Sequence, residues 1–285
     1  FDKCFFFRED YPDIDIHFFQ EQNTIQKRES ELQAYLQIKL EQQILVDRLL
    51  QTQYEPFAPQ QISPEFDTCQ TAIDALTQTL REQWGNRSQP ISSVTGILES
   101  NGWYVFEIPP LFEIEAVAGI ERNTMRPFLC FSYDENTDKT RFNILKSVGY
   151  AFISGQSPEE LEEMCCKFSR AVLLPAQAIS HELISSFSPD YWPLTLLKRR
   201  YGIAKVQMRM RFRDLDLYER MSMKNPSRTV ERIQSRKLME ARLEQLYFYE
   251  IPVDFYLKVI AAQRKGLLTP NEANFMLPKQ ITQVI

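Results

Sequence analysis

Few side chains in this chain of 285 residues could do covalent or metal chemistry, and their spacing narrows them further. The histidines are His17 and His181. The phrase His181-Glu182-Leu183-Ile184-Ser185 begins like H-E-x-x-H. That pattern puts two imidazoles one helical turn apart on one metal, with a carboxylate beside them to take a proton from bound water. Position 185 is serine, so the second imidazole is missing and the phrase reads as part of a surface helix. Cys165 and Cys166 could join His181 in a makeshift metal site, but neighbours on a helix point about 100° apart. The same divergence argues against a Ser–Lys dyad at Lys146 and Ser147, which read as two ordinary residues.

Lys146, Ser147, Cys165 and Cys166 must be positioned by residues 141–175, RFNILKSVGYAFISGQSPEELEEMCCKFSRAVLLP. The spacing predicts two helices broken at 154–158. The first runs from Arg141 to about Ile153, with Phe142, Leu145, Val148 and Phe152 apolar. The second runs from about Glu159 to Leu174, with Leu161, Met164, Cys165, Phe168, Val172 and Leu173 near one face. Apolar residues three and four apart bury one side of each helix.

The wording of this stretch resembles the ImmA/IrrE family of zinc metallopeptidases. Their signature is approximately R-F-T-L-A-H-E-x-G-H, a short loop, and a second helix E-x-E-A-N-x-F-A-x-x-L-L-M-P. Arg141-Phe142 match the opening, Gly149 matches the glycine, and Phe168 with Leu173-Leu174-Pro175 matches the close. The catalytic letters differ. Lys146 stands where the first zinc histidine would be, Ser147 where the glutamate would be, and Tyr150 where the second histidine would be. Met164-Cys165-Cys166-Lys167 precede Phe168 where the family reads E-A-N-x, and Glu162 and Glu163 lie out of that register. A lysine cation does not hold zinc unless strongly desolvated, serine is no carboxylate base, and a protonated tyrosine is a weak ligand. The resemblance therefore implies a zincin-like frame with no catalytic residue and its zinc lost, so no cofactor is expected. A pair between Lys146 and Glu162 or Glu163 would put a side-chain charge in the metal's place.

Other phrases extend the resemblance over roughly residues 1–217. Leu80-Arg81, Trp84-Gly85, Pro90-Ile91, Leu98-Glu99, Gly102 and Val105 follow the family's order of a helix, a short helix and a strand, and Phe6-Phe7-Arg8 is similar to the opening of its longer members. From the residues themselves, 1–19 reads as an aromatic, acidic arm packed on the core. A long helix spans 23–51, capped by Thr24, with Ile25, Leu32, Leu36, Leu40, Ile44 and Leu50 at helical spacing. Three prolines in 54–64 mark a linker. A helix at 66–84, a short one capped by Ser92 or Ser93 and ending at Glu99, and strands at 103–108, 116–120 and 128–133 follow, then a turn at 134–139. Helical pattern resumes at 178–187. Residues 191–201, Gly202-Ile203-Ala204 and 205–218 read as helix, turn, helix, similar to an element the family carries after its active-site helices. A basic, loop-rich stretch at 225–237 precedes helices at 239–249, 252–265 and from Leu268 to Ala273. Three units are expected: 1–64, arm and long helix; 65–188, the peptidase-like core; and 189–285, a C-terminal helical region.

Bulk composition bounds the class. Apolar content of 44% supplies a sizeable core, and only eight glycines favour helix, so the expected class is α+β, mainly α, with a small sheet. No run of about 18 apolar residues exists to span a membrane. The opening FDKCFFFRED carries charges inside its apolar run, unlike a signal peptide, and begins without Met, which leaves room for upstream sequence. Five cysteines without scaffold-like spacing point to a reducing cytoplasm. The net charge of −5 is uneven: 198–237 holds 13 Lys and Arg against 4 Asp and Glu, a local +9 that leaves −14 elsewhere. Lys198, Arg199, Arg200, Lys205, Arg209, Arg211 and Arg213 sit on the helix-turn-helix-like pair, where such cations can bind phosphates. Met208, Met210, Phe212, Leu215 and Leu217 would bury much of its second helix, so a protein-facing or merely solvated surface is the leading reading.

Family members commonly act as bacterial regulators that cleave or sense helix-turn-helix repressors. The resemblance thus implies a catalytically inactive regulatory protein of transcription or mobile elements, partnered with a regulatory protein or helix-turn-helix domain. A DNA-binding regulator working through 198–237 is the alternative, and an active zinc endopeptidase with rewired ligands is a second.

Overall fold

The computed structural model of the chain describes residues 12–20, 29–65, 69–155, 157–180, 194–217 and 250–277. In chain order the elements are β1 (Ile16–Phe18), α1 (Glu29–Leu50), α2 (Cys69–Gln83), α3 (Val94–Ser100), β2 (Tyr104–Glu107), β3 (Ala116–Glu121) and β4 (Arg126–Phe131). They continue with α4 (Thr137–Gly149), α5 (Pro158–Leu173), α6 (Leu194–Tyr201), α7 (Lys205–Asp214), α8 (Asp254–Arg264) and α9 (Pro270–Met276). The class is α+β and mainly helical, with one small mixed sheet.

The sheet order is β1-β3-β4-β2, parallel between β4 and β2 and antiparallel elsewhere. Side chains alternate across it. Val105, Ala118, Leu129 and Phe131 join the larger core on one face. Tyr104, Phe106, Val117, Phe128 and Cys130 join a second core on the other. Burial on both faces is why WYVFEI and its neighbours read as unbroken apolar runs rather than alternating ones. The second face is covered by α1, whose Leu32, Leu36, Leu40 and Ile44 recur every fourth residue and are almost wholly buried. The last turns of α1 pack Leu45 and Val46 against α8 and α9. On the first face lie α2, α3, α4 and α5.

Local signals account for several boundaries. Ser93 caps α3 by accepting from Gly96 N–H at 3.0 Å, and Ser157 caps α5 by accepting from Glu160 N–H at 3.2 Å. Thr269 and Glu272 form a reciprocal capping box at α9, with Pro270 in its first turn. Elsewhere the elements shift from their expected limits. The first helix of the 141–175 frame starts at Thr137 because the backbone carbonyl of Asn136 already accepts from Lys139 and Thr140 N–H. It ends at Gly149, and Ile153 instead forms a parallel bridge with Ile62 of the proline-rich linker. The strand expected at 128–133 begins two residues earlier, with Pro127 inside it opposite Ile120. β1 was not expected as a strand. It pairs His17 with Ile120 and Phe18 with Gly119, and Phe18 meets the edge of Phe128 at 5.8 Å. Only glycine fits at 119, because a Cβ there would lie 2.5 Å from the His17 carbonyl and from the Phe128 ring. The expected helices at 239–249 and most of 178–187, and the basic stretch at 225–237, lie outside the described residues.

Candidate functional site

Lys146, Ser147 and Tyr150 fall at the end of α4 where it packs on α5. The two helices approach closely at Gly149, where a Cβ would stand 3.2 Å from the Cys165 sulfur and from the Phe168 ring. Lys146 reaches across this seam, its ammonium 3.2 Å from Glu162 Oε1. Ser147, on the adjacent face, turns the other way. Its buried hydroxyl donates to the Ala116 carbonyl of β3 at 3.0 Å and accepts from the Gln20 amide at 3.3 Å. Lys146 and Ser147 thus bond to different layers, and among the described residues the bonds of the hydroxyl are to a carbonyl and an amide, neither of which is a base. Tyr150 is half-buried at the end of α4, and burial, then nearby Cys165 and Glu162, pushes its phenol pKa upward. Burial also raises the thiol pKa values of Cys165 and Cys166, with the Lys146 cation pulling against it.

These positions do not fit zinc. A metal needs deprotonated donors converging on one point. Here the candidate donors are a lysine already ion-paired, a serine hydroxyl committed to a carbonyl, and a phenol and thiols held protonated by burial. Among the described residues no group of three or more His, Cys, Asp or Glu side chains is placed to hold a metal ion. His181, Glu182 and Ser185, with any Cys165–Cys166–His181 site, lie outside those residues.

Glu163, the other carboxylate expected near Lys146, points elsewhere. It accepts from Arg170 at 2.9 Å, and Arg170 also binds Asp214 at 2.7 Å, fastening α5 to the end of α7. Three further arginines, all fully buried, work the same way. Arg141, which opens the motif frame, pairs with Glu250 at 2.5 Å and donates to the carbonyls of Ile91, Ser92 and Gly202. Glu250 also accepts from Val94 and Thr95 N–H, so it caps α3 and neutralises Arg141 at once. Arg81 donates to the carbonyls of Arg87, Gln89 and Val172. Arg211 donates to the Leu174 carbonyl at 3.0 Å and pairs with Asp74.

The chain matches no family model, no curated protein and no solved structure. The site therefore rests on its own geometry.

The pair expected to be helix-turn-helix-like falls on α6, residues 202–204 and α7. Its seven named cations do not form one surface. Arg211 is buried against α2 and α5. Lys198 lies 3.5 Å from Asp138 in the first turn of α4. Arg199, Arg200, Arg209 and Arg213 are exposed, with Arg200 over the Tyr201 ring, and Lys205 is half-buried. Met208 and Phe212 enter the main core, as their spacing implied. Glu250, Asp214 and Gln20 escaped the sequence reading. Each acts on a residue far along the chain, 109 positions away for Glu250 and Arg141, so no local pattern marks them.

Proposed function

We propose that this chain is a non-catalytic, peptidase-like regulatory protein that acts by binding a regulatory protein of the helix-turn-helix class. The observation that supports it is the pair between Lys146 and Glu162 at 3.2 Å, which bridges α4 and α5 where the motif frame would carry a metal. The pair puts a side-chain cation in the metal's place, and with the close packing of α4 on α5 at Gly149 the frame can persist without zinc as a binding scaffold. The DNA-binding alternative loses support from the burial of Arg211 and the pairing of Lys198, because phosphate contacts need outward-facing cations. The zinc-endopeptidase alternative loses support from the bonds of Ser147.

The test combines metal analysis with a binding and cleavage assay on the purified chain. After equilibration with zinc salt and gel filtration, the expected zinc content is far below one per chain. Mixed in turn with the helix-turn-helix repressors of its source genome, the chain is expected to co-elute with one and leave that repressor intact. Stoichiometric zinc with repressor cleavage would overturn the non-catalytic reading, and failure to co-elute would overturn the partner class.

A further inference from the structure

Arg126 opens β4, and its surroundings are unlike those of the other buried arginines. It is only 4% exposed, yet its guanidinium donates to no described residue, and Nε is buried without an acceptor. Arg81, Arg141, Arg170 and Arg211 each end on carbonyls or carboxylates, although Nη1 of Arg211 is also without an acceptor. Arg126 is instead held by its faces. Tyr54 of the linker lies 3.3 Å from the guanidinium carbon, centroid to carbon, and Tyr104 lies at 4.6 Å on β2. Two neighbouring carboxylates are both occupied. Glu121, opposite Arg126 in the β3–β4 register, accepts from the Asp15, Asn123 and Thr124 N–H groups and the Thr124 hydroxyl. Asp47 accepts from Tyr104 Oη at 2.8 Å and pairs with Lys258 at 3.0 Å.

Contacts with the two rings satisfy the cation without using its N–H groups, the part of a guanidinium that recognises a flat oxyanion through two parallel bonds. The Nη1 corner lies beside Gly102, where a Cβ would come within 3.2 Å of it, and Gly102 has a φ of +85° that other residues rarely adopt. Both residues line a groove of about 880 Å³ between the linker and α2. That volume is within the usual range for small-molecule sites. The groove's far walls are apolar. Phe57 stands edge-on to Trp103 at 5.3 Å and to Phe152 at 6.0 Å, and Leu76 and Trp84 of the α2 region face them. The Phe57 N–H bonds the Met125 carbonyl, which pins the linker over the start of β4.

We infer that this groove binds a small amphipathic oxyanion, with a carboxylate or phosphate head on Arg126 and an apolar tail against Phe57, Trp103 and Phe152. A buried guanidinium with unused donors is costly to keep in a fold, and an incoming oxyanion supplies the acceptors and the countercharge together. The site is separate from the α4–α5 seam and does not rest on the function proposed above.

Calorimetric titration of the full chain with octanoate, octyl phosphate and octanol tests it, with tryptophan fluorescence reporting on Trp84 and Trp103. The expected result is one-to-one saturable binding of at least one anion, tenfold or more tighter than octanol. Which anion wins separates a carboxylate source from a phosphate one. Arg126→Met, which keeps the length and removes the charge, is expected to erase the preference for the anion. The inference is overturned if neither anion binds better than octanol, or if Arg126→Met retains the preference. Should that variant fail to fold, the head-group preference of the unaltered chain decides alone.

Discussion

Arg141 and Lys146 both sit on α4 and both meet a glutamate, but the two pairs occupy different media. The Arg141–Glu250 pair has no exposed side-chain area on either partner. In the Lys146–Glu162 pair, the glutamate side chain is 58% exposed. A pair in water gains little, since solvent screens both charges and the side chains lose freedom on meeting. A buried pair that loses one partner leaves an uncompensated charge in the interior. The same helix thus carries one cation that is wholly buried and one that meets its partner at the solvent edge of the α4–α5 seam. Replacing Arg141 with Met should sharpen this contrast most. It strands the Glu250 carboxylate and removes donors from the carbonyls of Ile91, Ser92 and Gly202. The expected cost is about 3–5 kcal/mol, read as a lower urea midpoint at unchanged slope. A cost below about 1 kcal/mol, the range of an exposed pair, would erase the distinction.

If the seam between α4 and α5 is held by shape rather than by the Lys146 charge, crowding it should matter more than discharging it. Gly149 is the place to crowd. A Cβ at this position already meets Cys165 and Phe168 at 3.2 Å, and a β-branched side chain adds two methyls to that contact. Gly149→Val should therefore cost about 1–3 kcal/mol by overpacking, measured by the same denaturation. Stability equal to that of the unaltered chain would mean the helices can part without loss, and the seam would then depend on its ion pair.

The helices were the legible part of this molecule. The apolar stripes of α1, α2 and α5 recur at helical spacing, and Ser93, one of the two caps expected for α3, stands where chain entry requires an acceptor. Ser157 and Thr269 cap α5 and α9, although neither was expected as a cap. The pairing of Lys146 with a neighbouring glutamate was legible too, because both residues lie on helices that a short loop folds together. What the local sequence could not reveal is where buried charge is neutralised. An arginine reads as surface from composition alone, whether it is Arg209, which is exposed, or Arg211, which is buried. Only the long-range partners Asp74, Leu174, Glu250 and Asp214 decide. β1 was hidden for a related reason. Three residues carry no periodicity of their own, and its pairing is set by the room that Gly119 leaves across the sheet.

The smallest expected effect is also the one that separates site from scaffold. Lys146→Met keeps the chain length and the helix propensity of α4 but removes the ammonium that faces Glu162. Because Glu162 can turn to water, its stranded charge is hydrated rather than buried, so stability should fall by no more than about 1 kcal/mol. The same substitution removes the cation that pulls down the thiol pKa values of Cys165 and Cys166. Alkylation of Cys166, the more exposed of the two, should therefore slow in Lys146→Met when followed by mass spectrometry at mildly alkaline pH, since only the thiolate reacts. Small stability loss together with slower alkylation would place Lys146 as an electrostatic element of the seam. A loss approaching that of Arg141→Met would instead make the two pairs equivalent and make Lys146 a structural element of the α4–α5 crossing.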